Sequence, residues 1–154
     1  MKHPKHYDTT PEISKRMASV KLKRNSVEEK LAKLLWQKGY RYRLNYKKLP
    51  GSPDIAITKN CIAIFVDGEF WHGKDFDIKK EKIKSNKAYW CEKIQENISR
   101  DNRNDNLLRQ MGWIPLHFWS KDVNNNIDEV ISTIEDIIEL QDDNRLENED
   151  SFLY

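Results

Sequence analysis

The sequence has little of what marks membrane, secreted or zinc-binding proteins. Its longest apolar run, Cys61–Val66, is far shorter than the roughly 20 residues that a membrane-spanning helix needs. The first six residues, Met-Lys-His-Pro-Lys-His, are basic, and no apolar secretory segment follows them. The only two cysteines, Cys61 and Cys91, do not have the spacing of metal ligands. We therefore expect a cytoplasmic protein with reduced thiols.

Length and charge predict one domain with two charged ends. The chain has 154 residues, 38% of them hydrophobic and 34% charged, and a net charge of +2. Residues 1–24 carry seven Lys and Arg side chains against two acids, so they are either a DNA-binding arm or an ordinary solvated terminus. Residues 25–140 are predicted to form the folded domain. Residues 141–154 carry five acids against one Arg and are predicted to be a disordered tail.

Apolar periodicity predicts an α/β fold in which helices pack on a small sheet. No internal repeat or second domain is visible. The predicted order is a helix (Ser26–Lys38, ended by Gly39), a half-buried strand (Tyr40–Tyr46), two strands joined by Lys59-Asn60 (Asp54–Thr58 and Cys61–Val66), a long helix (Lys87–Met111), a strand (Trp113–Trp119) and a last helix (Asn124–Leu140).

The pair of central strands predicts a site for a divalent cation. If they form a hairpin, Asp54 lies near Val66 and Asp67, where the apolar run ends. Carboxylate and backbone carbonyl oxygens suit Mg²⁺, and a histidine such as His72 titrates in the range needed for proton transfer. That combination is typical of phosphodiester hydrolysis. The alternative is that Asp54 caps a turn and His72 lies on a loop.

Three further features have two interpretations each when the residues are taken alone. Glu28 is either a surface acid of the first helix or part of a site. Met17 is either a packing residue or a wedge into a base stack. The polar segment Ser99–Asn106 interrupts the apolar stripe of the long helix, so it is either solvated surface or faces a ligand.

Several motifs, taken together and in this order, resemble one known family of nucleases. They are Leu49-Pro50-Gly51-Ser52-Pro53-Asp54, Ile64-Phe65-Val66-Asp67-Gly68-Glu69-Phe70-Trp71-His72-Gly73, Tyr89-Trp90-Cys91-Glu92-Lys93-Ile94-Gln95-Glu96-Asn97, Arg100-Asp101-Asn102-Arg103, Met111-Gly112-Trp113 and Phe118-Trp119. The family is that of the very short patch repair endonucleases, in the PD-(D/E)XK restriction-endonuclease-like superfamily. The resemblance covers about residues 10–122 and implies a three-layer sandwich.

The resemblance implies Mg²⁺-dependent nicking of one DNA strand, 5′ of the mispaired thymine at a thymine–guanine mismatch. Asp54 matches the family's metal-binding aspartate, and Val66 matches the residue whose main-chain oxygen binds the metal. His72 matches the proposed general base. Glu28 matches an active-site glutamate, which reverses its interpretation as a surface residue.

The resemblance also implies a set of DNA contacts. Phe70 and Trp71 match aromatic residues that wedge into the duplex, and Met17 matches an apolar residue inserted from the amino-terminal arm. Lys93 and Asn97 match polar residues that approach the mismatched pair. From the basic arm we also expect Arg16 to contact DNA.

The sequence departs from the family in two places. Well-known members have a histidine where this chain has Asp67, so Asp67 is predicted to be a second carboxylate at the metal, bound directly or through water. The positions of the family's structural zinc ligands correspond to Glu69, Lys74, Phe76 and Lys121, so we expect no zinc.

Two other functions stay open at this stage: a restriction-like nuclease of the same fold that acts on matched or modified DNA, and a catalytically silent DNA-binding module. We expect a monomer that acts with the nucleoid of a prokaryotic cell. Accessory mismatch-repair proteins are possible partners.

Overall fold

Residues 26–68 and 86–152 are described in the structure, a computed structural model, and side chains are described as far as residue 147. These ranges contain four strands and four helices. They are α1 (26–37), β1 (Arg43–Leu44), β2 (Ile55–Ile57), β3 (Ile62–Asp67), α2 (Lys87–Gln110), β4 (Ile114–Trp119), α3 (Ser120–Asn125) and α4 (Ile127–Phe152).

The strands form one mixed sheet in the order β1-β2-β3-β4. The β1–β2 and β2–β3 pairs are antiparallel, whereas β4 runs parallel to β3. Phe65 pairs with His117 and Asp67 with Trp119, so β3 and β4 end at the same side of the sheet. In the described part of the chain β4 is an edge strand, a position that accommodates Pro115.

Alternate residues of β3 point to opposite faces of the sheet and support two separate cores. One face contributes Ile62, Ile64 and Val66 to a larger core with side chains of α1, α3 and α4. The other contributes Ala63 and Phe65 to a smaller core that includes Leu108 of α2. Helices therefore cover both faces of a small mixed sheet, which confirms the predicted fold class.

Helix α1 ends where the sequence predicts. Leu31 and Leu35 are fully buried in the larger core. Gly39 has a φ of +97°, and its N–H donates to the carbonyl of Trp36 at 3.0 Å. Glycine adopts this left-handed conformation at no steric cost, so it closes the helix.

The strand predicted over Tyr40–Tyr46 is wrong in its length. Only Arg43 and Leu44 are extended, and Leu44 is 57% exposed instead of buried. The hydroxyl of Tyr42 donates to the carbonyl of Ala32 at 2.6 Å, which holds the chain against α1 before the strand begins. After it, Asn45 has a φ of +47°, which ends the extended conformation.

The turn between β2 and β3 contains the predicted Lys59 and Asn60 but is longer than predicted, covering residues 58–61. The left-handed residue is Cys61, with a φ of +55°, and not Asn60. Asn60 is buried, and its side-chain amide donates to Asp142 at 2.8 Å. The side chain of Arg145 donates to the carbonyl of Lys59 at 3.4 Å.

These contacts correct the prediction that the last helix ends at Leu140 before a disordered tail. Helix α4 continues to Phe152. Its first added turn is held against the β2–β3 turn by Asp142 and by Gln141, whose amide donates to the carbonyl of Asn60 at 3.2 Å. Within the described ranges, no helix is both long enough and apolar enough to cross a membrane.

Candidate active site

Asp54 lies where the β2–β3 hairpin brings its carboxylate to the end of β3. Ile55 pairs with Ile64, so Asp54, one residue earlier, is level with the last residues of β3. The backbone N–H of Val66 donates to Oδ2 of Asp54 at 2.8 Å. The structure thus brings together Asp54 and Val66, the two residues that the hairpin prediction placed side by side.

The turn before Asp54 is packed tightly against the sheet and α2. Gly51 has a φ of +79°, a conformation that favours glycine. A Cβ atom at this position would lie 3.1 Å from the ring of Phe65 and 3.2 Å from the amide nitrogen of Asn104. The absence of a side chain at Gly51 therefore lets the turn approach the sheet closely enough to place Asp54.

Asp54 lines two cavities. The smaller, of about 350 Å³, is bounded by α1 and β1 and includes Glu28. The larger, of about 510 Å³, includes Asp67 and His117. Glu28 and Asp67, both predicted to be catalytic, thus each share a cavity with Asp54 but not with one another.

Asp67 is held in place by a histidine that in turn contacts a second acid. Oδ2 of Asp67 lies 2.6 Å from Nδ1 of His117, and Nε2 of the same ring lies 2.7 Å from Oδ1 of Asp105. The side chains of Asp67 and Asp105 are 10% and 14% exposed, and that of His117 is 28% exposed. The imidazole therefore bridges two largely buried carboxylates.

The surroundings of His117 favour its protonated form. Desolvation is the largest single influence and lowers the pKa of the ring. The hydrogen bonds and charges of Asp67 and Asp105 together outweigh it, and they raise the pKa from 6.5 to about 9. The ring also stacks on Phe65, with centroids 4.7 Å apart. Without a bound cation, both ring nitrogens carry protons at neutral pH, and each of them contacts a carboxylate, so His117 is poorly suited to be a general base.

Sequence reasoning did not single out His117 or Asp105. Asp105 belongs to the polar segment Ser99–Asn106, which was open to two interpretations. The structure favours the second one, because four residues of this segment line the larger cavity: Arg100, Asp101, Asn104 and Asp105. Their spacing of three and four residues puts them on one face of a helix, and this was the signal available in the sequence.

The two predicted DNA contacts on α2 differ in exposure. Lys93 is exposed, whereas Asn97, one turn further along, is 7% exposed. Neither residue lines either of the two cavities at Asp54. Lys93 is therefore the more accessible of the two to a DNA duplex.

Several predicted site residues lie outside the described ranges, and their roles stay predictions. They are Arg16 and Met17 in the arm, and Glu69, Phe70, Trp71, His72, Lys74 and Phe76 after β3. Lys121, the last position compared with the family's zinc ligands, is exposed on α3. The expectation that zinc is absent stays a prediction as well.

The donor atoms around Asp54 fit Mg²⁺. Within the described residues, no group of three or more His, Cys, Asp and Glu side chains could hold an ion by itself. Mg²⁺ does not need one, because it keeps several waters and binds proteins through one or two carboxylates. Asp54, the main-chain oxygen of Val66 and Asp67 are oxygen donors of this kind.

Comparison with known proteins agrees with this chemistry. A model of the family described as DNA mismatch endonuclease Vsr matches residues 5–78. The chain is 49% identical to a type II nicking enzyme of Haemophilus parainfluenzae, over 76% of this chain and 84% of that protein. It is 47% identical to a type II nicking enzyme of Neisseria meningitidis serogroup C, over 76% of this chain and 80% of that protein. It is 33% identical to the DNA mismatch endonuclease Vsr of Escherichia coli strain K12, over 69% and 67% respectively.

Proposed function

The chain belongs to the very short patch repair (Vsr) family of DNA endonucleases, and we propose that it nicks one strand of duplex DNA 5′ of the mispaired thymine at a thymine–guanine mismatch, with Mg²⁺ as cofactor. A single-strand nick needs one active site, so we propose that it acts as a monomer. Its substrate would be the DNA of the nucleoid, in a prokaryotic cytoplasm.

The observation that carries the proposal is the position of Asp54. Its carboxylate is held by the N–H of Val66 at 2.8 Å and lines two cavities, one containing Glu28 and the other containing Asp67. The larger cavity is lined by four acids, Asp54, Asp67, Asp101 and Asp105, against two basic side chains, Arg100 and His117, so acids outnumber bases beside Asp54. Such a site is suited to a divalent cation and not to a bare phosphate, because phosphate and carboxylates repel each other.

We assign cation binding to Asp54, to the main-chain oxygen of Val66 and to Asp67. When bound, the ion would neutralise charge on the scissile phosphate and lower the pKa of a water molecule. The described residues would orient this chemistry: Asp54 is held by the backbone of β3, and Asp67 is held by His117.

The remaining roles follow from the family resemblance. We assign proton abstraction from water to His72, because both nitrogens of His117 are occupied by carboxylates. Glu28, in the second cavity beside Asp54, would position a water or the DNA backbone. Phe70, Trp71 and Met17 would unstack the bases at the mismatch, which is cheaper than unstacking a matched pair.

A nicking assay on denaturing gels tests the proposal. Wild-type protein with Mg²⁺ should cut one strand of a thymine–guanine duplex, and it should cut neither the matched duplex nor either duplex in EDTA. Asp54→Ala should lose activity by several orders of magnitude, whereas the control Asp136→Ala, an exposed acid of α4, should cut like wild type. Full activity of Asp54→Ala would remove Asp54 from the mechanism.

A second function has one observation in its favour. The two relatives at 49% and 47% identity are named type II nicking enzymes, and their names do not mention a mismatch. Equal nicking of matched and mismatched duplexes, with the same dependence on Asp54, would support a nuclease acting on matched or modified sites.

A further inference from the structure

One histidine in the larger cavity is held on three sides. Asp67 contacts Nδ1 of the His117 ring at 2.6 Å, Asp105 contacts Nε2 at 2.7 Å, and Phe65 stacks on its face with an interplanar angle of 9°. We call this arrangement the His117 clamp. Its three partners come from β3 and α2, so the ring has little freedom to turn.

The clamp is built into the site and is not a distant ion pair. Asp67, Asp105, His117 and Phe65 all line the same cavity as Asp54. Asp67 directly follows Val66, whose N–H holds Asp54. Any change in the direction of the Asp67 carboxylate would therefore change the set of oxygen atoms presented beside Asp54.

We propose that His117 is a positioning residue for the nicking reaction: it holds the Asp67 carboxylate in the orientation that binds the divalent cation, and Asp105 holds His117. The inference rests on the proposed function, because that function places the cation at Asp54 and Asp67. Hydrogen-bond partners of metal-binding carboxylates commonly set their orientation, and removing one typically costs about 10–100-fold in metal affinity or activity.

Stability alone is a poor reason for such an arrangement. Largely buried charged groups often stabilise a fold no better than apolar side chains of similar volume. Apolar neighbours are at hand, since Phe65 of β3 and Leu108 of α2 already belong to a core on this face of the sheet. A hydrogen-bonded bridge from Asp67 through His117 to Asp105 is better explained by what it does to Asp67.

Two substitutions at His117 separate the contacts of its two nitrogens. The amide nitrogen of asparagine reaches about as far as Nδ1, so His117→Asn can still donate to Asp67. The amide nitrogen of glutamine reaches about as far as Nε2, so His117→Gln can still donate to Asp105 but loses Asp67. We expect the Gln variant to be impaired and the Asn variant to stay much closer to wild type.

The first readout is Mn²⁺ binding to the free protein by calorimetry, with Mn²⁺ as the probe for the divalent site. His117→Gln should weaken binding about 10–100-fold, and His117→Asn much less. The second readout is single-turnover nicking as a function of Mg²⁺ concentration. The Gln variant should need more Mg²⁺ for half-maximal nicking, a shift that a general loss of folded protein would not produce.

A double-mutant comparison tests whether the effect passes through Asp67. In an Asp67→Asn background, His117→Gln should add little to the loss of Mn²⁺ affinity. Full additivity of the two losses would overturn the proposal. So would wild-type affinity of His117→Gln, with circular dichroism showing that the protein is folded.

Failure of this inference can be told from failure of the proposed function. If wild type nicks and Asp54→Ala does not, but His117→Gln matches wild type in both readouts, only the role of His117 is wrong. A wild-type protein that neither nicks the mismatched duplex nor binds Mn²⁺ overturns both. If neither His117 variant folds, Asp105→Asn keeps the size of the outer partner and removes its charge. It should weaken Mn²⁺ binding several-fold, and unchanged binding overturns the proposal.

Discussion

Raising the pH should destabilise the metal-free protein through loss of the proton on His117. The pKa of this ring is about 9 in the folded protein, against 6.5 for an ordinary histidine. A group whose pKa is raised by folding stabilises the folded state while it is protonated. The contribution is therefore complete below about pH 6.5 and is lost as the pH rises through about 9.

The size of the effect follows from the shift in pKa. One pKa unit corresponds to about 1.4 kcal/mol, so the rise from 6.5 to about 9 gives an upper limit of about 3 kcal/mol. The side chain of His117 is 28% exposed, and salt screens exposed charges. We therefore expect a loss of about 1–3 kcal/mol in the free energy of unfolding between pH 6 and pH 9.5.

Urea denaturation in EDTA at these two pH values measures the loss. Because other groups also titrate, the informative quantity is the difference in stability between wild type and His117→Gln. The pKa values of Tyr40 and Tyr42 are raised above 10 by burial, so these phenols stay largely protonated in this window in both proteins. The difference should shrink as the pH rises. A difference that stays constant from pH 6 to pH 9.5 would refute the assignment of a protonated bridge.

Three further substitutions, the first with a matched control, test contacts of the site and of the fold. Gly51 has a φ of +79°, and in Gly51→Ala the new Cβ would lie 3.1 Å from Phe65, so this variant should lose about 1–2 kcal/mol of the free energy of unfolding in urea and should nick DNA more slowly. Gly39→Ala is the control: its φ is also positive but no atom lies within 4 Å of the new Cβ, so it should lose stability without affecting nicking. Asn60→Ala should lower the free energy of unfolding by about 1–3 kcal/mol, because the buried hydrogen bond of 2.8 Å to Asp142 is lost. It should also speed hydrogen exchange in residues 141–147, and unchanged exchange would contradict the link between α4 and the β2–β3 turn. Tyr42→Phe should lower the free energy of unfolding by about 1 kcal/mol, because the carbonyl of Ala32 loses the hydroxyl that donates to it; an unchanged value in urea denaturation would contradict a stabilising role for this hydrogen bond.

The hairpin and the position of Asp54 could be predicted because their determinants are local. Two β-branched runs separated by a short turn specify an antiparallel pair, and antiparallel register then fixes which residues are level with each other. The helix over residues 26–37 and the long helix Lys87–Gln110 were predictable for the same reason, since apolar spacing and a following glycine mark them in the sequence. In these cases the signal lies within about twenty neighbouring residues.

The His117 clamp could not be predicted in this way because it depends on a distant strand pairing. His117 and Asp67 are 50 positions apart and meet only because β4 lies parallel to β3. A local pattern contains no information on which strand becomes the neighbour, or on its register. Asp105 was visible as part of a polar interruption in α2, but its partner was not.

The errors in the predicted turns have a different physical origin. Asn60 is of a residue type that tolerates the left-handed conformation which a short hairpin turn often needs. Its side chain is instead used for the hydrogen bond to Asp142, and Cys61 adopts the positive φ of +55°. A tertiary contact from residue 142 thus outweighs a local preference, and the same contact explains why the acidic end of the chain continues the helix.

The position of Asp67 connects the sequence's main departure from its family to the clamp. A carboxylate on a side chain that is 10% exposed is costly to bury unless it is paired and hydrogen-bonded. The family resemblance implies a histidine at this position, and in this chain Asp67→His would place two imidazoles next to each other at His117. An acid at position 67 therefore calls for a cationic partner at position 117, and the charge of that partner is balanced in turn by Asp105. The three residues form one electrostatic unit, so Asp67→His alone should lower the free energy of unfolding in urea denaturation, and an unchanged value would contradict this interpretation.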